Sequence, residues 1–318
     1  MPTHLPTPIT PADIRDAADR IRSRVRVTPV IQPESATLAA RRGVWLKLES
    51  LQHTGSFKPR GAFNSVLSVP ASEIPPAGVT AASGGNHGLA VAHVARALDL
   101  PATIFIPEVS PRVKRERIAA LGATVRVGGA VYDDAQAECD RFASESGALE
   151  IHPYDTTETI TGQATLAMEL ESQIGVPDTV IVAVGGGGLA AGVAAWFGDR
   201  ARIVTVEPRS SACLHAAMSS RRPVPVPVSG VAADSLGARQ VGDLAFSLLH
   251  HHVDLSLTVS DEAIVETQRK LFAELRIVAE PGGATALAAL ISGTYTPADG
   301  EFVAVIICGG NTDPSVLA

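Results

Sequence analysis

The stretch His53-Thr54-Gly55-Ser56-Phe57-Lys58-Pro59-Arg60-Gly61-Ala62 lies between two segments of different periodicity. Residues 44–49 alternate like a half-buried strand, and residues 62–67 have the pattern of a helix. Lys58 is therefore predicted at a strand-to-helix junction, where functional side chains are common. Apolar Phe57 and cationic Arg60 would both favour its neutral amine, because desolvation and a like charge disfavour the ammonium form. A neutral lysine is a nucleophile for aldehydes. An ordinary solvated lysine at a helix start is the alternative.

Strand and helix patterns alternate through the rest of the chain. Strands are predicted at 79–82, 102–106, 123–127, 179–184, 202–206 and 302–307, and helices at 89–98, 111–121, 132–146, 157–174, 189–197, 260–275 and 282–290. Such alternation is typical of parallel sheets covered by helices, and the number of units suggests two sheets. Thr10-Pro11-Ala12-Asp13 predicts a capped helix start. Residues 219–230 are predicted to connect elements, because three prolines remove ladder donors.

Composition limits the classes of function. The chain has 318 residues, of which 46% are hydrophobic, enough for two domains. Its net charge of −7 argues against nucleic acid or an anionic membrane as the main partner. No apolar run has membrane-spanning length and no signal-peptide pattern precedes the first helix, so we expect a cytoplasmic protein. Cys139, Cys213 and Cys308 are too far apart for a disulfide framework or zinc-ligand spacing.

A run of four glycines, 185–188, follows a predicted strand and opens a predicted helix. Ligands of open α/β sheets bind beyond the carboxyl ends of strands, and glycine leaves backbone N–H groups free to cradle a phosphate. Two alternatives remain at this point. The pattern Gly185-x-Gly187-x-x-Ala190 also fits a dinucleotide fingerprint, with Glu207 at the end of the next strand as the ribose-binding acid. A tight turn without a ligand is the other.

Two further glycine-rich turns follow strands, at 83–88 and 309–311. The first supplies a hydroxyl, an amide, an imidazole and a helix N-terminus, which suit a carboxylate. Asn86 and His87 as plain helix-capping residues are the alternative. The adjacent histidines 250–252 are predicted to face solvent on a short polar turn, in preference to a metal site.

Four motifs together resemble the serine/threonine dehydratase family of fold-type II, tryptophan synthase beta-like, pyridoxal-phosphate enzymes. They are Ser56-Phe57-Lys58-Pro59-Arg60-Gly61-Ala62, Ser83-Gly84-Gly85-Asn86-His87, Gly185-Gly186-Gly187-Gly188-Leu189 and Cys308-Gly309-Gly310-Asn311. The resemblance implies two three-layer α/β domains with mostly parallel sheets and the cofactor in the cleft between them. Residues 1–50 and 149–318 would form the large domain, and residues 51–148 the small one.

The resemblance also implies roles for individual residues. Lys58 would carry pyridoxal 5'-phosphate as a Schiff base, with the cofactor also contacted by Phe57, Asn86, Gly185, Gly186, Gly187, Gly188, Leu189, Glu280 and Cys308. The substrate carboxylate would be held by Ser83, Gly84, Gly85, Asn86 and His87, with Ser235 nearby. Cys308 would stand beside the pyridine nitrogen. A thiol does not keep that nitrogen protonated as a carboxylate would, so the ring is a restrained electron sink that favours elimination.

The activity implied is that of a lyase, which deaminates L-threonine or L-serine to 2-oxobutanoate or pyruvate and ammonia. Lys58 would remove the Cα proton. A homodimer acting on a small hydroxyamino acid is expected. The alternatives are a serine racemase, a dehydratase of hydroxyaspartate or another hydroxyamino acid, and, from another class, a nicotinamide-dinucleotide-binding or ligand-sensing protein.

Two positions depart from relatives with added features. Racemase members of the family carry a serine where this chain has Gly84, so racemisation is expected to lack its second proton carrier. Relatives with a divalent-cation site have a glutamate followed six residues later by an aspartate. Here Glu207 is followed at that spacing by Cys213, so no metal site is predicted, and Glu207 is kept as the candidate ligand.

Overall fold

Two parallel β-sheets with helices packed on them form the structure, a computed structural model that describes residues 9–34, 43–108, 110, 112–130 and 132–317. The helices are α1 Pro11–Ile21, α2 Lys58–Leu67, α3 Asn86–Ala97, α4 Arg112–Ala119, α5 Tyr132–Ser146, α6 Thr157–Ile174, α7 Gly188–Phe197, α8 Cys213–Ser220, α9 Asp243–His252, α10 Asp261–Leu275 and α11 Pro281–Ile291. The strands are β1 Val30–Ile31, β2 Val44–Leu48, β3 Val79–Ala82, β4 Ala102–Ile106, β5 Thr124–Val127, β6 Leu149–Glu150, β7 Thr179–Ala183, β8 Arg202–Pro208, β9 Val253–Val259 and β10 Val303–Ile307.

The larger sheet has six strands in the order β1-β2-β10-β7-β8-β9, and the smaller has four in the order β5-β4-β3-β6. All neighbouring strands are parallel except β1 and β2. Each sheet carries its own apolar core. The predicted α/β fold with mostly parallel sheets is confirmed. Because parallel strands end at one edge of a sheet, the loops after β7 and β10 of the larger sheet come together. Asn86, after β3 of the smaller sheet, lies in the same cavity wall as these loops.

Local sequence explains the central strands and the first helix. Strands β4 and β7 are buried along their whole length and rich in β-branched residues, as expected when helices cover both faces of a parallel sheet. Helix α1 begins with the predicted capping box, in which Thr10 Oγ1 accepts from the Asp13 N–H and the Asp13 carboxylate accepts from the Thr10 N–H. Its buried face consists of Ile14, Ala17 and Ile21.

Helix α2 is anchored by a buried cluster of four charged side chains. Arg60 donates to Glu49 from Nε and Nη2, both at 2.8 Å, and from Nη2 to Glu169 at 3.0 Å. Lys47 Nζ pairs with Glu169 and also donates to the Thr28 carbonyl. Two cations thus face two carboxylates inside the protein, and removal of any one would leave an uncompensated buried charge. The cluster fixes the start of α2 against β2 and α6.

Some boundaries and elements differ from the prediction. Helix α2 begins at Lys58 rather than residue 62, and the short strands β1 and β6 were not predicted, nor were α8, α9 and β9. The histidines 250–252 form the last turn of α9, so their placement on a polar turn was wrong. The helix predicted at 111–121 ends at Ala119, and its first residue, Pro111, lies outside the described residues.

The segment between α8 and α9 connects these two helices. The prolines at 223, 225 and 227 belong to no strand, as predicted, although residues 219 and 220 still belong to α8.

Among the described residues, no group of three or more histidine, cysteine, aspartate and glutamate side chains is arranged to hold a metal ion. In the same part of the chain, no helix combines the length and apolarity needed to cross a membrane.

Candidate active site

A cavity of about 500 Å³, partly open to solvent, lies where β7, β10 and the start of α2 meet. It brings together all of the predicted cofactor residues, although they come from distant parts of the sequence. Its wall consists of Phe57, Lys58, Asn86, Tyr154, Ala183, Gly185, Gly186, Gly187, Gly188, Leu189, Ala190, Ser235, Leu236, Glu280, Gly282 and Cys308.

Lys58 begins helix α2 and reaches into this cavity. Its Nζ donates to the Pro153 carbonyl at 2.7 Å and lies 5.1 Å from the centre of the Phe57 ring. The side chain keeps partial exposure to the cavity, but burial of the amine lowers the pKa of Lys58 to about 8, against the opposing charges of Cys308 and Glu280. A partial loss of ammonium character, as predicted, follows from this lowered pKa, with desolvation as its main cause. The predicted influence of Arg60 on the Lys58 amine was wrong, because the charge of the Arg60 guanidinium is compensated by the carboxylates of Glu49 and Glu169.

The four glycines 185–188 form the turn from β7 into α7. Gly187 has φ +97°, which favours glycine, and it is the N-cap of α7 without a side chain to cap the first turn. A Cβ on Gly186 would lie 2.3 Å from the Tyr154 ring, and one on Gly188 would lie 2.4 Å from the Tyr154 carbonyl oxygen. The loop therefore presents bare backbone to the cavity, with the positive end of the α7 dipole behind it.

Tyr154 is a cavity residue that sequence reasoning missed. Burial raises the pKa of Tyr154 to about 12, so the phenol remains protonated near neutral pH. It lies in the segment between β6 and α6, next to Pro153, whose carbonyl accepts from Lys58 Nζ. Tyr154 belongs to no glycine-rich or charged motif, and its proximity to the glycines becomes visible only in the folded chain.

Asn86 and Glu280 meet across the cavity. Asn86 Nδ2 donates to Glu280 Oε1 at 2.6 Å. Burial raises the pKa of Glu280 to about 7, with a smaller contribution from Asp234, while the hydrogen bond from Asn86 acts in the opposite direction. Glu280 is thus a carboxylate that can gain or lose a proton near neutral pH, at the N-terminus of α11.

Cys308 closes the floor of the cavity at the end of β10. Its Sγ donates to the Gly282 carbonyl at 3.4 Å, and the residue is buried. Burial, with the nearby Glu280 carboxylate, raises the pKa of the Cys308 thiol well above its usual value. The thiol is therefore a neutral, weak donor. The backbone of this segment is tied to the Lys58 loop, because Phe57 N donates to Cys308 O at 3.1 Å.

The loop 83–88 is arranged differently from the prediction for some of its residues. Gly84, Gly85 and Asn86 line a second cavity of about 340 Å³ next to the first. His87 instead bonds through Nε2 to the Ile151 carbonyl at 2.7 Å, and burial lowers the pKa of His87 to about 3, so the ring is neutral. Ser83 Oγ accepts from the Gly85 N–H. Neither Ser83 nor His87 belongs to the wall of either cavity.

The second cavity is bounded by charged residues that the sequence did not single out. Lys114 of α4 pairs with Asp234, and Arg117 donates to the Asn311 side chain at 2.8 Å. Ser235 follows Asp234 in the chain. It lines the first cavity, and its Oγ accepts from the Gly282 N–H at 3.0 Å. The predicted position of Ser235 beside the other site residues therefore has a structural basis.

Glu207 lies outside both cavity walls. Its carboxylate is fully buried and accepts from the backbone N–H groups of Leu214 at 2.8 Å and His215 at 2.7 Å, in the first turn of α8. Burial raises the pKa of Glu207 to about 7. The carboxylate caps a helix, as favoured by its dipole, and this accounts for the acid at the end of β8 without a ribose or a cation.

Comparisons with known proteins agree with this geometry. Residues 21–309 match the family described as "Pyridoxal-phosphate dependent enzyme". The chain is 36% identical to L-threonine dehydratase biosynthetic IlvA of Haemophilus influenzae, over 92% of this chain and 58% of that protein. It is 32% identical to L-threonine ammonia-lyase of Thermotoga maritima, over 97% of this chain and 77% of that protein. It superposes on maize serine racemase with a TM-score of 0.92 and 32% identity, covering 98% and 96% of the two chains.

Proposed function

Because the chain belongs to the family of pyridoxal-phosphate-dependent enzymes, we propose that it is an L-threonine and L-serine ammonia-lyase. The products would be 2-oxobutanoate or pyruvate and ammonia. The observation that carries the proposal is the Lys58 amine, which faces the glycine loop across one cavity with a lowered pKa. The two threonine-deaminating relatives support the choice of reaction.

The residues of the cavity fit pyridoxal phosphate. The phosphate would be held by the N–H groups of residues 185–188 and the first turn of α7, where side chains are absent and any Cβ at Gly186 or Gly188 would collide with Tyr154. Lys58 Nζ is the atom that would bond the aldehyde carbon, and Phe57 supplies an apolar ring beside it. Asn86 and Cys308 would contact the remaining polar positions, and Glu280 would lie at the ring edge.

When bound, the cofactor supplies an electrophilic carbonyl and a conjugated ring that acidifies the Cα–H bond of an amino acid. Lys58 then acts as the base, since a pKa of about 8 leaves a useful fraction of neutral amine near neutral pH. Its Nζ takes the Cα proton, and the ammonium so formed gives a proton to the departing β-hydroxyl, which leaves as water. Cys308, whose thiol stays neutral, would not keep a proton on the ring nitrogen, and this would favour departure of the hydroxyl.

The substrate carboxylate would lie at the N-terminus of α3. Gly85 and Asn86 line this position, and the positive end of the helix dipole attracts an anion. The neutral ring of His87 offers no charge to the substrate carboxylate. His87 instead fixes α3 by its hydrogen bond to the Ile151 carbonyl.

The proposed function is tested by measuring ammonia and 2-oxo acid with L-threonine, L-serine and the diastereomers of 3-hydroxyaspartate. We expect equal amounts of ammonia and 2-oxobutanoate from L-threonine, and of ammonia and pyruvate from L-serine. Higher turnover with a hydroxyaspartate would favour that dehydratase, with Lys114 as the partner of its second carboxylate. Absence of ammonia from all substrates, in protein shown to hold the cofactor, would refute a lyase of hydroxyamino acids.

A specific observation supports serine racemase as a second activity. A Cβ on Gly84 would lie 2.6 Å from Ser110 Oγ, so the Ser110 hydroxyl occupies the space that a serine at position 84 would fill. Ser110 belongs to neither cavity wall, and its hydroxyl is proposed as the proton carrier that Gly84 cannot supply on the strength of this proximity alone. In racemisation, Lys58 Nζ would take the Cα proton and Ser110 Oγ would deliver one to the other face, then regain a proton from solvent.

The Ser110→Ala variant should therefore separate the two activities. We expect formation of D-serine from L-serine to fall by about 100-fold, the usual contribution of a positioned acid, while ammonia release changes by less than about threefold. Chiral chromatography of the reaction mixture measures both. Unchanged D-serine formation in the variant would exclude Ser110 as the carrier, and no D-serine from the wild type would exclude the activity.

The remaining expectations are proposals of the same kind. We place the small domain at residues 51–148 and the large one at 1–50 and 149–318, and we propose a cytoplasmic homodimer, on the strength of the family resemblance.

Val27 and Leu51 are apolar and exposed at 75% and 50%. They lie on one surface, because Arg26 Nη1 donates to Leu51 O. Such a surface is suited to contact with a second copy.

A further inference from the structure

A chain of side-chain hydrogen bonds runs from the surface to Glu280. Arg117 Nη2 donates to Asn311 Oδ1 at 2.8 Å, Asn311 Nδ2 donates to Asn86 Oδ1 at 2.7 Å, and Asn86 Nδ2 donates to Glu280 Oε1 at 2.6 Å. Arg117 and Asn86 belong to α4 and α3, which pack on the smaller sheet. Asn311 follows β10 of the larger sheet, and Glu280 directly precedes α11. Asn311 is the central link, and the mechanism above gives it no role.

The Asn311 amide can adopt only one orientation. Its two N–H hydrogens meet two acceptors, Asn86 Oδ1 and the Thr54 carbonyl, both at 2.7 Å. Its oxygen meets the Arg117 guanidinium, which can only donate. A reversed amide would place oxygen against two acceptors and N–H groups against a donor. Buried or half-buried polar groups left in this way are costly.

The orientation of Asn311 in turn determines that of Asn86. Because Asn86 Oδ1 accepts from Asn311, its NH₂ group is the edge that faces Glu280 and the cavity. The close approach is built into the backbone: Gly55 has φ +77°, and a Cβ there would lie 2.7 Å from Asn311 Oδ1. Gly310 N also donates to Gly55 O at 2.9 Å, which holds the segment carrying Asn311 beside the Lys58 loop.

We propose that Asn311 is a positioning residue that fixes the Asn86 amide with its donor edge toward Glu280 and the bound cofactor. The proposal rests on the placement of Asn86 beside the cofactor under the proposed function. An Asn86 amide turned the other way would present its oxygen to the Glu280 carboxylate and would offer no N–H to an oxygen of the cofactor.

The Asn311→Asp variant tests the proposal, with Arg117→Ala as the matched control. A carboxylate at position 311 retains a partner for Arg117 but cannot donate, so the Asn86 amide is expected to turn and donate to it. Arg117→Ala removes the outer link and leaves both Asn311 N–H donations in place. Apoprotein is titrated with pyridoxal phosphate, and the visible absorbance spectrum of the bound cofactor is recorded. We expect about tenfold weaker binding and a changed spectrum for Asn311→Asp, the equivalent of one hydrogen bond, and less than about twofold for Arg117→Ala.

Two further measurements separate orientation from general structure. Urea unfolding of each apoprotein shows whether the variant folds as the wild type does, and in an Asn86→Ala background the penalty of Asn311→Asp should vanish, since it acts through Asn86. A penalty that persists in that background, or one that Arg117→Ala reproduces, would overturn the proposal. Wild-type protein that binds the cofactor but releases no ammonia would contradict the proposed reaction and leave the role of Asn311 intact.

Discussion

Replacing Lys58 with alanine is expected to lower ammonia release from L-threonine by at least about 10⁴-fold, because one amine is asked both to hold the cofactor and to take the Cα proton. The Lys58 amine has a lowered pKa near 8 and a fixed position, with Nζ 2.7 Å from the Pro153 carbonyl. Alanine removes nucleophile and base together. Turnover is measured by ammonia release, and the visible absorbance of covalently bound cofactor should be lost in parallel.

Two companion variants make this result specific to the chemistry. Lys58→Arg keeps a cation of similar length, but its guanidinium stays protonated and cannot replace the neutral amine, so it should be as inactive as alanine. Lys270→Ala removes a surface lysine paired with Glu266 and should behave as the wild type. Borohydride reduction of the holoenzyme followed by peptide mapping should find the cofactor on Lys58. Label on another lysine, or a Lys58→Ala variant that keeps its activity, would refute the assignment.

The importance of Lys58 could be predicted from sequence, but the cause of its lowered pKa only in part. A strand followed by an apolar residue, a lysine and a helix pattern places the amine at the edge of the sheet. A charged residue close in sequence does not always affect the pKa of its neighbour, however. Arg60 is two residues away, yet it points to Glu49 and Glu169 in the core. The Cys308 and Glu280 side chains that act on Lys58 come from the other end of the chain.

The glycine loops were predictable for a related reason, and their partners were not. Four glycines in succession after a strand signal that backbone must approach something closely. What approaches is determined by tertiary packing: Tyr154 lies against Gly186 and Gly188, and Asn311 lies against Gly55. Neither Tyr154 nor Asn311 has a local pattern from which this contact could be derived. Glu207 shows the opposite limit, since its spacing fits a ribose-binding acid but its carboxylate caps α8.

Helix α9 and strand β9 illustrate why edge elements escape prediction. Among the described residues, strand β9 pairs only with β8 and is half exposed, so its apolar residues do not form the continuous run of a central parallel strand. Helix α9 ends in three histidines, which carry weak helix preference. Pairing with β8 stabilises β9, and packing on α7 stabilises α9, where local propensity is weak.

Replacing Gly188 with alanine is expected to disturb the glycine loop strongly. The new Cβ would lie 2.4 Å from the Tyr154 carbonyl oxygen and 2.9 Å from its Cα, and backbone cannot give way as the tip of a flexible side chain can. Either the first turn of α7 or the segment carrying Tyr154 must move. The preceding residue is Pro153, whose carbonyl holds Lys58, so a shift at the phosphate loop reaches the catalytic amine.

We therefore expect Gly188→Ala to weaken binding of pyridoxal phosphate by about 100-fold, the loss of one or two charge-assisted hydrogen bonds from the loop. The free energy of unfolding of the apoprotein should fall by about 1–3 kcal/mol through overpacking. Gly185→Ala is the matched control: its Cβ would meet Leu236 Cα at 3.3 Å, a contact relieved by a shift of a few tenths of an ångström. Titration of apoprotein with cofactor and urea unfolding measure the two effects. Equal affinities for the two variants would mean that the loop accommodates a methyl group at its helix end, and that close approach of Tyr154 does not shape the phosphate cradle.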